Sequence, residues 1–279
     1  MHRFILAALA LQAIPAPAQT EPDVLAIVRK SLERDWSNYS RARDYTYVQR
    51  AETRKLDGKG AVTGVESKTW DVIMIGERPY RKLIAEDDKP LDEKQTRKAA
   101  AEFEKAIRKN HGLSEGEIRK RAERQRKDEE ESRRFLREIP EAFDFEIVRR
   151  DVLDGMPVWV IRAEPKPGYR PRLKDARILT KFRGVIWIDE REHQWVKVEA
   201  EVIDTVSFGL VLARLGKGTA LTFMQSRVND EVWLPSAATT RINARLALLK
   251  TYRAEVDVRW RDYRKFRTES RVVAAGEEP

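Results

Sequence analysis

Trp195-Val196-Lys197-Val198-Glu199-Ala200-Glu201-Val202 alternates apolar and charged side chains. Successive side chains of a strand point to opposite faces. Val196, Val198, Ala200 and Val202 therefore fall on one face, with Lys197, Glu199 and Glu201 on the other. A strand of this kind belongs to an antiparallel sheet that is buried on one side and wet on the other.

The same period recurs on both sides of this stretch. Upstream, Glu190 to His193 reads as a turn after a strand from Val185 to Asp189, and Asp154-Gly155 as a hairpin turn into Val158 to Ala163. Phe143, Phe145 and Ile147 alternate ahead of it. Pro165, Pro167, Gly168 and Pro171 mark an irregular loop. Downstream, Gly216-Lys217-Gly218 turns into Ala220 to Val228, and Asn229-Asp230 turns into Val232-Trp233-Leu234. Ala254, Val256, Val258 and Trp260 alternate with Arg253, Glu255, Asp257 and Arg259. Nearer the N-terminus, Tyr45, Tyr47 and Gln49 alternate with Thr46, Val48 and Arg50, then Trp70, Val72 and Met74 continue the pattern. The pattern predicts about ten or eleven strands. A sheet of that width curls rather than staying flat, so the expected class is α+β, a strongly curved antiparallel half-barrel.

Two helical regions interrupt the strands. Asp23 caps an apolar periodicity through Val24, Ile27, Val28 and Leu32, which predicts a helix over 23–37. Residues 92–138 hold 15 Lys or Arg and 12 Asp or Glu with few apolar positions. Glycines 112 and 116 divide them, and Ser114 precedes Glu117 at capping-box spacing. That segment reads as a charged helical hairpin inserted between strands, either a lid, a docking arm or a solvated surface feature.

Residues 1–18 carry a charged start, the apolar run Phe4 to Leu11 and Ala16-Pro17-Ala18, the layout of a secretory signal peptide cleaved after Ala18. The apolar run is too short to span a bilayer. The expectation is an exported, soluble periplasmic protein, residues 19–279 forming one domain. The chain has no cysteine, so its core does without disulfides. Charged residues are 36% of the chain and the net charge is +9, but acids and bases are interleaved, which together with export argues against nucleic acid.

Catalytic signatures are missing. The three histidines, His2, His111 and His193, have no partner at metal-ligand spacing, and without cysteine a zinc site is not expected. There is no nucleophile elbow and no His-Glu-x-x-His helix. Gly216-Lys217-Gly218-Thr219 lacks the glycine five residues upstream that a phosphate loop requires, since Val211 stands there. Glu199 and Glu201 are assigned to the solvated face. No enzyme activity, metal or cofactor is expected.

Tyr47, Trp70, Trp159, Trp187, Phe223 and Trp260 are the residues that alternation aims inward, and they are the candidate lining of an apolar ligand cavity. Ser207 to Ala213 and Leu246 to Leu249 are apolar stretches that would make a greasy rim if they share one end of the sheet.

The order of parts resembles the bacterial outer-membrane lipoprotein carrier superfamily, the LolA/LolB-like fold. The resemblance runs through Asp44 to Arg50, Gly76 to Ile84, Asp154 to Arg162, Gly184 to Asp189, His193 to Glu199 and Val228 to Asp230. It implies a half-barrel lidded by helices around a cavity for acyl chains, hence a binding or carrier protein for a lipid or lipoprotein. The insertion at 92–138 departs from that pattern and suggests the alternative, a non-enzymatic envelope module that binds a protein or a membrane surface. None of the family's ligand-gripping residues transfers onto this chain.

Overall fold

The structure is a computed structural model that describes residues 22–76, 78–208, 213–246 and 250–266. The leader expected over residues 1–18 lies outside them. The Asp23 side chain accepts from the Leu25 and Ala26 amides and starts α1 (Val24–Ala42). There follow β1 (Tyr45–Leu56), β2 (Val62–Ile75), β3 (Arg78–Glu86), β4 (Lys89–Pro90), α2 (Glu93–His111), α3 (Glu115–Ala142), β5 (Phe143–Leu153) and β6 (Met156–Pro165). A 3-10 segment, Asp175–Lys181, leads to β7 (Phe182–Asp189), β8 (Trp195–Val202), β9 (Val206–Phe208), β10 (Ala213–Leu215), β11 (Ala220–Val228), β12 (Val232–Leu246) and β13 (Lys250–Lys265).

The strands form one open, curved antiparallel sheet in the order β4-β3-β2-β1-β13-β12-β11-β8-β7-β6-β5, with β10 pairing β12 and β9 pairing β10. The half-barrel expectation holds. The turns are chemically as read: Asp154 and Gly155 take φ of 49° and 79°, Asn229 and Asp230 take 50° and 54°. Both are left-handed pairs that suit the strand twist. The hairpin α2–α3 also matches, and both of its helices begin with capping boxes, Asp92 with Gln95 and Ser114 with Glu117.

α1 runs across the strands of one face, called here the inner face. Ile27 and Val28 bury themselves against Trp159, Ile161 and Ile188 of β6 and β7. Asp35 accepts from the Trp195 indole at 2.7 Å. Asn38 then meets the part of β12 that β13 does not reach. Its amide nitrogen donates to the Trp233 carbonyl (2.6 Å) and its oxygen accepts from the Trp233 amide (2.8 Å), as a neighbouring strand would. These contacts carry α1 five residues past the end that its apolar periodicity predicts. The C-terminal part of α3 lies beside α1, with Phe135 and Ile139 packed against a cluster that includes Phe143, Ala163 and Leu179. α2 takes the other side of the sheet: Phe103 packs on Tyr80, which is registered with Ile73 and so faces away from Trp70 and Val72.

The expectation of one wet face fails over β6, β7 and β8. Val158, Val160, Trp187, Val196 and Trp233 form a second small core on the outer face. Val196 enters it through a register shift: Trp195 pairs Ile188 and Lys197 pairs Trp187, leaving Val196 as the extra residue. The bulge thus separates Val196 from Val198 and breaks the alternation on which the strand was first read.

Replacing Asn38 with leucine leaves the buried amide and carbonyl of Trp233 without partners. We expect a stability loss of roughly 2 kcal/mol or more in urea denaturation, with an unchanged midpoint contradicting the strand-substitute role.

Candidate functional site

Registers decide which aromatics share the inner face. Ile186 pairs Val198, Val198 pairs Phe223, Phe223 pairs Ala238, and Ala238 pairs Val258, two residues before Trp260. Trp260 pairs Gln49, which pairs Trp70. Ring centroids follow the same path, Trp195 to Phe223 at 5.4 Å and Phe223 to Trp260 at 5.8 Å. Beyond them the Arg81 guanidinium lies 4.2 Å over the Trp70 ring, a cation–π contact. Tyr47 shares the face through its pairing with Val72 and stands 5.5 Å from Tyr263. The rings of Trp195, Phe223, Trp260, Trp70, Tyr47 and Tyr263 are half-buried rather than sealed in, whereas Ala238 and Val72 are buried and Arg81 is exposed.

Of the six candidate residues, the fold brings Phe223, Trp260, Trp70 and Tyr47 onto this surface. Trp159 is on the same face but is 7% exposed and packed under α1, with its ring 5.2 Å from His193. Trp187 is on the opposite face. It pairs Val160, not Trp159, and lies under the Lys197 ammonium at 4.3 Å. The inward assignment of Trp187 is therefore corrected. Val185 to Ile188 is an unbroken apolar run with both faces buried, so it offers no alternation to read. The residue that alternation missed is Trp195. The bulge at Val196 turns it inward, a register shift that depends on the partner strand and leaves no mark in the period-two pattern.

The inner face has two parts. Over β5 to β8 it is covered by α1 and the end of α3. Between those helices lies a groove of about 450 Å³, floored by Leu32, Trp36, Leu136 and Pro140, with Arg133 stacked 4.5 Å over Trp36. Toward β11, β13, β1 and β2 the aromatic ladder continues. Here Tyr45, Tyr47 and Tyr263 form a phenol cluster. Tyr45 donates to Glu231 at 2.5 Å, which also pairs Lys265 at 2.6 Å. Tyr263 donates to the Pro235 carbonyl. Burial is the main force that raises all three phenols above the ordinary tyrosine range, opposed at Tyr47 by the Arg81 charge. Burial, then the charge of Lys30, depresses His193.

Glu199 and Glu201 are on the outer face as expected, paired with Lys197 (2.6 Å) and Arg183 (2.8 Å). Among the described residues no cluster of His, Asp or Glu is arranged to hold a metal, and no helix is long and apolar enough to cross a membrane. The apolar stretches 209–212 and 247–249 lie outside the described residues. The strand ends that flank them, Ala213 and Leu246, are paired.

No family model and no curated protein matches the chain. Solved structures that resemble it include a LolA superfamily protein from Nitrosomonas europaea, 9% identical with a TM-score of 0.28 over 87% of this chain and 92% of that one. A DUF1329 family protein from Desulfovibrio piger is 9% identical, with a TM-score of 0.34 and the same coverages. The Pseudomonas aeruginosa MucA/MucB complex is matched at 8% identity, with a TM-score of 0.22 over 85% of this chain and 93% of that one. Likeness of this degree transfers no function to the chain.

The raised phenols set a pH dependence. Folding favours their protonated forms, so their contribution is complete below the ordinary tyrosine pKa of about 10 and is lost as pH rises past it. Urea midpoints should fall above that pH, and Tyr47→Phe should flatten part of the fall. A fall of the same steepness in the variant would show that Tyr47 ionises as freely in the folded chain as in the unfolded one.

Proposed function

We propose that this chain is an exported, non-enzymatic periplasmic binding or carrier protein, folded as one domain over residues 19–279, that shelters an acyl chain or another apolar ligand. The ligand lies on the inner face along Trp195, Phe223, Trp260 and Trp70, beside α1. The observation that carries this reading is the half-burial of those rings on the face that also carries the core packed under α1 and α3. Aromatic surface on the inside of a curved sheet gains by excluding water, and an acyl chain supplies the missing apolar contacts without any polar demand. Arg81, over Trp70, places a cation at one end of the ladder, suited to an acidic headgroup.

Tryptophan quenching by a brominated fatty acid tests the reading. A saturable quench near one equivalent is expected. Trp260→Ala removes a ring worth about 1.5–3 kcal/mol of apolar burial, so affinity should fall roughly tenfold or more. Trp187→Ala should leave affinity unchanged while lowering stability by roughly 3–5 kcal/mol, because its ring fills the outer core. Absence of a saturable quench, or equal affinity in the Trp260 variant, would overturn the assignment. A protein that ignores the fatty acid yet loses a protein partner on deletion of residues 92–138 would instead be an interaction module.

A further inference from the structure

At the end of the sheet where β1 turns into β2, cations gather on the outer face; Asp57 lies within electrostatic reach of Arg253 and Asp204 of Lys217, and the cations left over are Arg214 and Arg245. Arg214 of β10 and Arg245 of β12 are registered directly opposite one another, and both are exposed. Arg245 pairs Thr251 of β13, so Arg253 follows two residues along on the same face. Arg241, the next arginine on that face of β12 beyond Asn243, is occupied by Glu255 at 3.3 Å. Arg253 donates to the Gly58 carbonyl, a neutral group. Among the described residues Arg214 and Arg245 have no hydrogen-bond or ion-pair partner. Lys59 adds a further exposed cation in the adjoining turn, and Lys217 another in the turn after β10.

Like charges placed opposite one another weaken a ladder. Among the described residues nothing offsets this pair, whereas most other arginines of the sheet have an acid at hand, among them Arg50, Arg162, Arg183, Arg259 and Arg264. Two exposed apolar side chains stand at the same end: Val62 and Val65 of β2 are 54% and 57% exposed, and Val65 is registered with Arg54 on the arginine face. Guanidinium groups pair with phosphate oxygens in forked geometry. Exposed valines beside them fit a surface that is anionic outside and apolar just beneath.

We propose that this end of the sheet docks on an anionic lipid bilayer, with Arg214, Arg245 and Arg253 on headgroup phosphates and Val62 and Val65 in the interfacial layer. The site is separate from the inner aromatic face and does not depend on a ligand being bound there. A free phosphate would satisfy the arginines but would leave the valines in water, so the bilayer is the occupant.

The test is co-sedimentation of the mature protein with vesicles of phosphatidylcholine, with and without phosphatidylglycerol. Binding is expected only with phosphatidylglycerol, weakening as salt rises and not displaced by millimolar inorganic phosphate. With two cations removed from the headgroup layer, Arg214→Gln with Arg245→Gln should weaken binding by about tenfold or more. The double variant should unfold at an unchanged or higher urea concentration, since a repulsion is removed, and should quench normally with brominated fatty acid. Val62→Ser with Val65→Ser should weaken vesicle binding without changing its salt dependence. Undiminished binding by the arginine variant, or no binding to phosphatidylglycerol vesicles, would overturn the proposal. Capture by soluble polyglutamate as tight as by vesicles would also overturn it, pointing to an acidic protein.

Discussion

The architecture depends on how α1 is fixed across the inner face. A sheet of eleven strands in sequence has more apolar inner surface than one helix can cover. α1 is anchored near one edge by Ile27 and Val28 on β6 and β7, in the middle by Asp35 on the Trp195 indole, and far along by Asn38 on the backbone of β12. Its position is set by hydrogen bonds as much as by burial. The bond from Arg41 to the Glu231 carbonyl (3.0 Å) closes the line. Each buried apolar side chain contributes about 1.5–3 kcal/mol, while the polar anchors choose which strands receive the helix.

That placement divides the inner face. Trp159, Ile161 and Ile188 become core because α1 is over them. Phe223, Trp260 and Trp70 keep partial exposure because α1 and α3 are committed to the other half and α2 to the outer face. One face thus has two halves, one sealed by the chain and the other left partly open to solvent. The outer core around Trp187 balances the arrangement by holding β6, β7 and β8 rigid from behind. The basic end of the sheet is a further consequence of topology, since β10 reaches β12 only beyond the point where β11 begins, bringing Arg214 to Arg245.

Much of the fold was legible in the sequence. Period-two alternation located the strands, Asp-Gly and Asn-Asp pairs located left-handed turns, and Ser114 with Glu117 located the start of α3. Faces were legible only where one side of a strand is wet. Trp260 and Phe223 were assigned correctly on such strands, whereas Trp187 was not, because Val185 to Ile188 is apolar on both sides. Trp195 was missed for a related reason: a bulge reverses the phase at Val196, and its register shift is a property of two strands together. The extension of α1 through Asn38 was equally hidden, since a non-local bond to Trp233, 195 residues away, rather than periodicity, sustains it. The opposition of Arg214 and Arg245 also arises from pairing between distant strands, which no local pattern reports.

The exposed half of the inner face is proposed to hold an apolar ligand. Native mass spectrometry of the protein, purified gently from the cells that make it and paired with lipid extraction, is the decisive test. An acyl species bound at close to one per chain is expected. A bare protein mass that persists after incubation with lipids would contradict it and would mark the aromatic ladder as the floor of a protein interface instead.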